Sequence, residues 1–165
     1  MRKIYLSDDT VALAEHIPED NPALYACWCD PGTVRGYNMR QTRTFEEYLA
    51  WERPPGWGAI ILRLCDEIPI GSVGFVSENS DLSIMIYPEY RGKGYGTRAF
   101  ALGARYCAET LCLEKIYAGC YPDNHASMKM LKRCGFVSHP EGNLQETHYL
   151  TGEEITQLDF VKRLR

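Results

Sequence analysis

At 165 residues, 45% hydrophobic and 24% charged, the chain suits one soluble globular domain that buries roughly two thirds of its unfolded surface. The formal net charge of -4 argues against non-specific nucleic-acid binding and favours a cationic small substrate or a peptide. No apolar run approaches the roughly 18 residues of a membrane span, and the start, MRKIYLSDDT, lacks a signal peptide's apolar stretch. A cytoplasmic protein with no membrane attachment is therefore expected.

In chain order, residues 3–6 read as a short strand, and 10–17 and 22–29 as short helical pieces interrupted by Pro18 and Pro22. Residues 30–38 (DPGTVRGYN) read as loop. Thr44 with Glu47 forms a capping box, which predicts a helix over 45–52, ended by Pro54-Pro55-Gly56. Three strands follow over 57–65, 68–77 and 82–87, joined by the turns Asp66-Glu67 and 78-ENSD-81 and stopped by Pro88. A helix over 95–111 presents Phe100, Ala104, Cys107 and Leu111 as one apolar stripe. Then come a strand (115–121), a helix (124–135) closed by Gly135, a further strand opening at FVSHP, and a late hairpin strand over 145–150. The order predicts one domain over 1–165 of the α/β (α+β) class, with a mixed, mostly antiparallel sheet flanked by helices.

The seven cysteines (27, 29, 65, 107, 112, 120 and 134) are odd in number and scattered. Only Cys27 and Cys29 are close, and no second pair or histidine couple completes a zinc set, so reduced thiols and no metal are expected.

The stretch 87-YPEYRGKGYGTRAF-100 places glycines at 92, 94 and 96 between a strand and a helix, beside Arg91 and Lys93. Such a junction offers free backbone N–H groups and the positive end of a helix dipole, which together suit phosphate. The same letters also fit a glycine-rich turn without a ligand. No GxxxxGK[ST] is present, and a dinucleotide loop would open a parallel unit instead of following an antiparallel meander.

What remains is R-x-x-G-x-G, carried by Arg91, Gly94 and Gly96. In this the chain resembles the GNAT superfamily of N-acetyltransferases. A second stretch, NHASMKMLKRCGF (124–136), resembles that family's later signature, and WCDP (28–31) and FEEYLAW (45–51) look like its ribosomal-protein N-terminal acetyltransferase branch.

The resemblance implies acetyl-CoA as cosubstrate. It places the pantetheine arm on the backbone of Ile84, Met85 and Ile86, and the pyrophosphate on Arg91, Gly92, Lys93, Gly94, Tyr95, Gly96 and Thr97. It sets Asn124 against the arm, and Lys129, Lys132 or Arg133 within reach of the 3′-phosphate. It implies direct attack of an amine on the thioester, with the Met85 N–H at the developing oxyanion. Deprotonating a lysine-type amine at pH 7 costs about 4–5 kcal/mol and an α-amine only about 1. Asp81, with Glu78 as neighbour, stands where a base is expected, although 78-ENSD-81 also fits a polar turn. The acid is open, because Leu131 occupies the position where many relatives carry tyrosine. Ser127 matches a serine of the ribosomal branch, or makes only a local hydrogen bond at the start of its helix.

The expected acceptor is a primary amine, on a peptide or protein N-terminus or a small molecule. An aminoglycoside or polyamine acetyltransferase and a non-catalytic CoA-binding module are the alternatives. No nucleic-acid or membrane partner is expected, and the letters allow a monomer or a homodimer.

Overall fold

The meander read from residues 57–87 is present as β3 (Gly56–Arg63), β4 (Ile68–Val76) and β5 (Asp81–Ile86), paired antiparallel in that order. The computed structural model describes residues 1–165. On the outer side of β3 lie β2 (Val11–Ala14) and then β1 (Ile4–Ser7). Beyond β5 come β6 (Lys115–Cys120), β9 (Glu154–Arg163) and β7 (Val137–Ser138), and β8 (Leu144–Thr147) pairs with β9. Every pairing is antiparallel except that of β5 with β6.

Five helices cover the sheet: α1 (Asn21–Cys29), α2 (Pro31–Tyr37), α3 (Phe45–Ala50), α4 (Tyr95–Glu109) and α5 (His125–Arg133). One core forms against α4 and α5, around Phe100, Leu82, Ile116 and Leu131. A smaller core forms against α1–α3, around Leu24, Tyr48, Ile60, Met85 and Tyr87. Where α4 crosses the sheet, a Cβ on Gly103 would lie 2.8 Å from Val73 Cγ1, so a side chain there would push the helix off the strands.

Three segments differ from the sequence reading. Residues 11–14 form a strand instead of a helix, because VALA is buried on every side and a fully buried run carries no period to distinguish the two. Residues 31–37 form a helix instead of a loop. Asp30 Oδ2 accepts from Thr33 N at 3.0 Å, Pro31 opens the first turn, and Asn38 closes it at φ 50°. The last strand, β9, carries no alternation in its letters, and its interior residues are half-buried on both faces.

Phe100 is 1% exposed and packs against the ring of Phe136. Phe100→Ala is expected to cost roughly 3–5 kcal/mol. Differential scanning calorimetry should show a melting temperature lower by on the order of 10 °C.

Candidate active site

A cleft opens where the sheet is interrupted. The parallel strands β5 and β6 share one residue pair, Asp81 with Tyr117, and then diverge. Tyr87 N donates to Ile70 O on β4, so the antiparallel alternation turns the backbone groups of Ser83 and Met85 toward β4 as well. Those of Ile84 and Ile86 face the open edge. Side chains meet both carbonyls there: Tyr37 Oη donates to Ile84 O at 2.6 Å, and Arg91 Nε donates to Ile86 O at 2.9 Å. Met85 is therefore not a donor to the cleft, contrary to the sequence reading. Its N–H lies opposite Ser72, and its side chain is buried with Leu24 and Tyr48.

The glycine loop lies at the end of this edge. Gly92 and Gly94 adopt left-handed backbone (φ 72° and 84°), and a Cβ on either would meet no atom within 4 Å. The space beside them is open, and the turn itself is what requires glycine. Arg98 N donates to Gly94 O at the start of α4, which leaves the N–H groups of Tyr95, Gly96 and Thr97 without helical partners.

Two basic side chains of the loop are turned away from it. The guanidinium of Arg91 bonds Asp30 Oδ2 and Thr33 Oγ1, each at 2.8 Å, so its charge pairs with a carboxylate and braces the loop against α2 instead of facing the glycine turn. Lys93 Nζ bonds Glu89 O at 2.9 Å.

On α5, Asn124 is the N-cap, its Oδ1 accepting from Ser127 N at 3.1 Å. The Ser127 hydroxyl is half-buried in the first turn, and Leu131 is 2% exposed inside the core.

Asp81 stands at the fork between the two strands. Burial, and secondarily the charge of Asp159 on β9, push its carboxyl up to about 7. Asp159 is itself held by His139 Nδ1 at 2.7 Å, and its N–H donates to Asn143 Oδ1 at 2.8 Å.

Four residues of the cleft had no sequence-level role. Tyr37 reaches the open edge from α2, and burial keeps its hydroxyl protonated far above neutrality. Asn38 Nδ2 bonds Thr147 O at 3.0 Å, and Asn38 Oδ1 accepts from Tyr149 N at 2.9 Å, which ties α2 to the β8–β9 hairpin. Tyr121 donates to the Glu146 carboxylate across the same gap. The only local signal for any of them is Asp30-Pro31, which starts the helix carrying Tyr37. Trp51 lines the groove beside α3, and the Trp57 ring stacks on Tyr106 at 4.1 Å beneath α4.

Residues 11–137 match the family profile described as acetyltransferase (GNAT) domain. The chain belongs to the GNAT acetyltransferase family. This GNAT domain is 25% identical to the uncharacterized N-acetyltransferase YoaA of Bacillus subtilis, over 162 positions covering 89% of each chain. It is 29% identical to the spermidine N(1)-acetyltransferase of Vibrio cholerae over 80 residues, 48% of this chain and 45% of that one. Among solved structures, spermidine N-acetyltransferase from Vibrio cholerae, in complex with CoA and spermine, superposes with a TM-score of 0.84. That match has 18% identity and covers 95% of this chain and 97% of the other. Ribosomal-protein-S5-alanine acetyltransferase from Vibrio fischeri gives 0.71 at 16% identity, covering 96% and 95%.

The fork carboxylate of this acetyltransferase carries a stability consequence. Below about pH 4, Asp81 is protonated in both the folded and the unfolded chain. Between that value and about 7 the unfolded chain ionises while the folded one keeps its proton, so stability falls as pH rises, and above 7 the loss is constant. Asp81→Asn should melt several degrees above wild type at pH 8. The difference should close at pH 4, as thermal denaturation followed by circular dichroism would show.

Proposed function

We propose that this GNAT domain transfers the acetyl group of acetyl-CoA to a primary amine. The observation that carries the reading is the parting of β5 from β6 directly beside a glycine-lined helix N-terminus. An open strand edge accepts an extended arm containing amides, and unpaired N–H groups at a helix start accept phosphate. The residues present suit coenzyme A on both counts. The edge groups of Ile84 and Ile86 take the pantetheine arm, the backbone from Gly92 to Thr97 takes the pyrophosphate, and Asn124 faces the arm from α5. Bound acetyl-CoA supplies an acyl group activated as a thioester.

Asp81 serves as the base. A carboxylate poised near 7 is ionised enough to accept a proton at neutral pH and basic enough to draw it from an ammonium, directly or through water. Tyr37 Oη stays protonated and gives its single hydrogen to Ile84 O. The free N–H groups of Ile84 and Ile86 on the open edge are therefore the donors left for the oxyanion, the role the sequence reading gave to the Met85 N–H. Ser127 and solvent are the groups left to return a proton to the departing thiolate. A polyamine acceptor is the second reading, favoured by the likeness to the spermidine acetyltransferases.

Thermal stability with CoA, acetyl-CoA and ATP tests the cosubstrate assignment. Both CoA forms should raise the melting temperature by several degrees and ATP should not. Absence of a shift with saturating CoA would refute it. In turnover, kcat/KM should rise through a group titrating near 7. Asp81→Asn should abolish that limb and lower kcat by about 10²–10⁴. An unchanged profile would remove Asp81 from the mechanism.

A further inference from the structure

We infer that the acceptor is a small primary amine on one aromatic or bulky apolar group, with no second cationic centre. The inference rests on the acetyl-transfer reading above and assigns its substrate class. It comes from a trough of about 390 Å³ on the α1–α3 face of the sheet, a size ordinary for small-ligand sites.

The floor of the trough is a row of small residues across three neighbouring strands. Gly58 on β3 pairs with Gly74 on β4, and Gly74 pairs with Ser83 on β5. Protein packing does not dictate these glycines. A Cβ on Gly58 would meet only Val73 O, at 3.6 Å, and one on Gly74 only Ser83 Oγ, at 3.4 Å, and neither residue has left-handed backbone. Side chains would fit at both positions and would fill the trough. The fold leaves the strip bare, which suits a ligand lying against the backbone.

The walls are aromatic: Trp28, Tyr37, Tyr48 and Trp51. Trp28 and Tyr37 pack with ring centroids 4.9 Å apart. At one end the trough reaches Ser83 and Ile84, where the Tyr37 hydroxyl bonds the open edge, so an amine directed along it arrives at the cleft.

Charge selects among amines. No aspartate or glutamate lines the trough, whereas Arg53 and His16 do. Arg53 donates to Tyr48 Oη at 3.1 Å, and Arg43 lies 4.5 Å over the Trp51 ring. The second and third ammonium groups of a polyamine would be desolvated there without a partner and repelled by arginine. A single amine on an aromatic body keeps its one charge at the cleft end and buries its apolar part against the walls. In the transfer the amine nitrogen bonds the acyl carbon, the carbon–sulfur bond breaks, and the proton shed by nitrogen ends on the thiol, so acetyl-CoA is the only co-reactant.

The test compares 2-phenylethylamine and tryptamine with spermidine and with a peptide beginning in Phe, on wild type and on Gly58→Val and Gly74→Ala. The aromatic amines should exceed spermidine in kcat/KM by at least tenfold. Gly58→Val should raise their KM at least tenfold while the CoA-induced melting shift stays as in wild type. Binding of 2-phenylethylamine without cosubstrate should change tryptophan fluorescence in wild type and not in Gly58→Val. Preference for spermidine or for the peptide, an unchanged KM in both variants, or no turnover of aromatic amines while CoA still binds would each overturn the inference. Loss of the CoA shift in wild type would instead overturn the reading beneath it.

Discussion

Much of this structure answers to one interruption, the parting of β5 from β6 after a single shared pair. A parallel pair ordinarily satisfies its backbone along its whole length and lies buried between helices. Here the edge of β5 is left with donors and acceptors that need partners, because buried peptide groups are rarely left unbonded. The remedy comes from far along the chain. Tyr37 and Arg91 each bring a donor to a carbonyl of this edge. On the other side β6 is held by six pairs with β9, so the sheet stays continuous through its far strand while the cleft stays open.

The fork also fixes the electrostatics. Asp81, the first residue of β5, is the one paired on both sides, with Val76 and Tyr117. Its carboxyl is buried near a second carboxylate, Asp159, which His139 bonds while Asn143 takes the Asp159 backbone N–H. Burial raises the Asp81 carboxyl most, and the nearby charge of Asp159 adds to it. Asp159 is bonded by His139 Nδ1, from the segment after β7, so the C-terminal part of the chain shares in shaping the fork.

How much could be read from the letters follows from how local each signal is. The meander, the glycine loop and the two helices after it announce themselves within a few residues, through β-branched runs, Pro88, and the Asn124 and Gly135 caps. The family resemblance rested on those same stretches. By contrast, the bonds that build the site join residues 47 and 61 positions apart, and neither end carries a sign of the other. The misplacement of the cleft donor at Met85 is a parity error of one residue. Parity along β5 is set by its unbroken register on β4, fixed where Tyr87 N donates to Ile70 O, and nothing within DLSIMI reveals which of its residues face β4.

Arg91 shows what the family's loop arginine does in this chain. Its Nε takes Ile86 O, while its two terminal nitrogens take Asp30 and Thr33 at the start of α2. A Cβ on Gly32 would lie 2.5 Å from Nη1, so the residue after Pro31 must be bare for this clamp to close. Asp30 Oδ2 also caps α2 through Thr33 N, so one carboxylate oxygen fixes both the helix start and the loop arginine. The other end of α2 is held through Tyr37 on Ile84. Both ends of this seven-residue helix are thus fastened to carbonyls two residues apart on the open edge of β5. Whatever lies along that edge must share or displace the two donors, and displacing either one moves the helix whose Tyr37 walls the apolar trough. Occupation of the edge and the shape of the trough are mechanically linked through α2, which makes the cosubstrate side of the cleft a determinant of how the acceptor side closes.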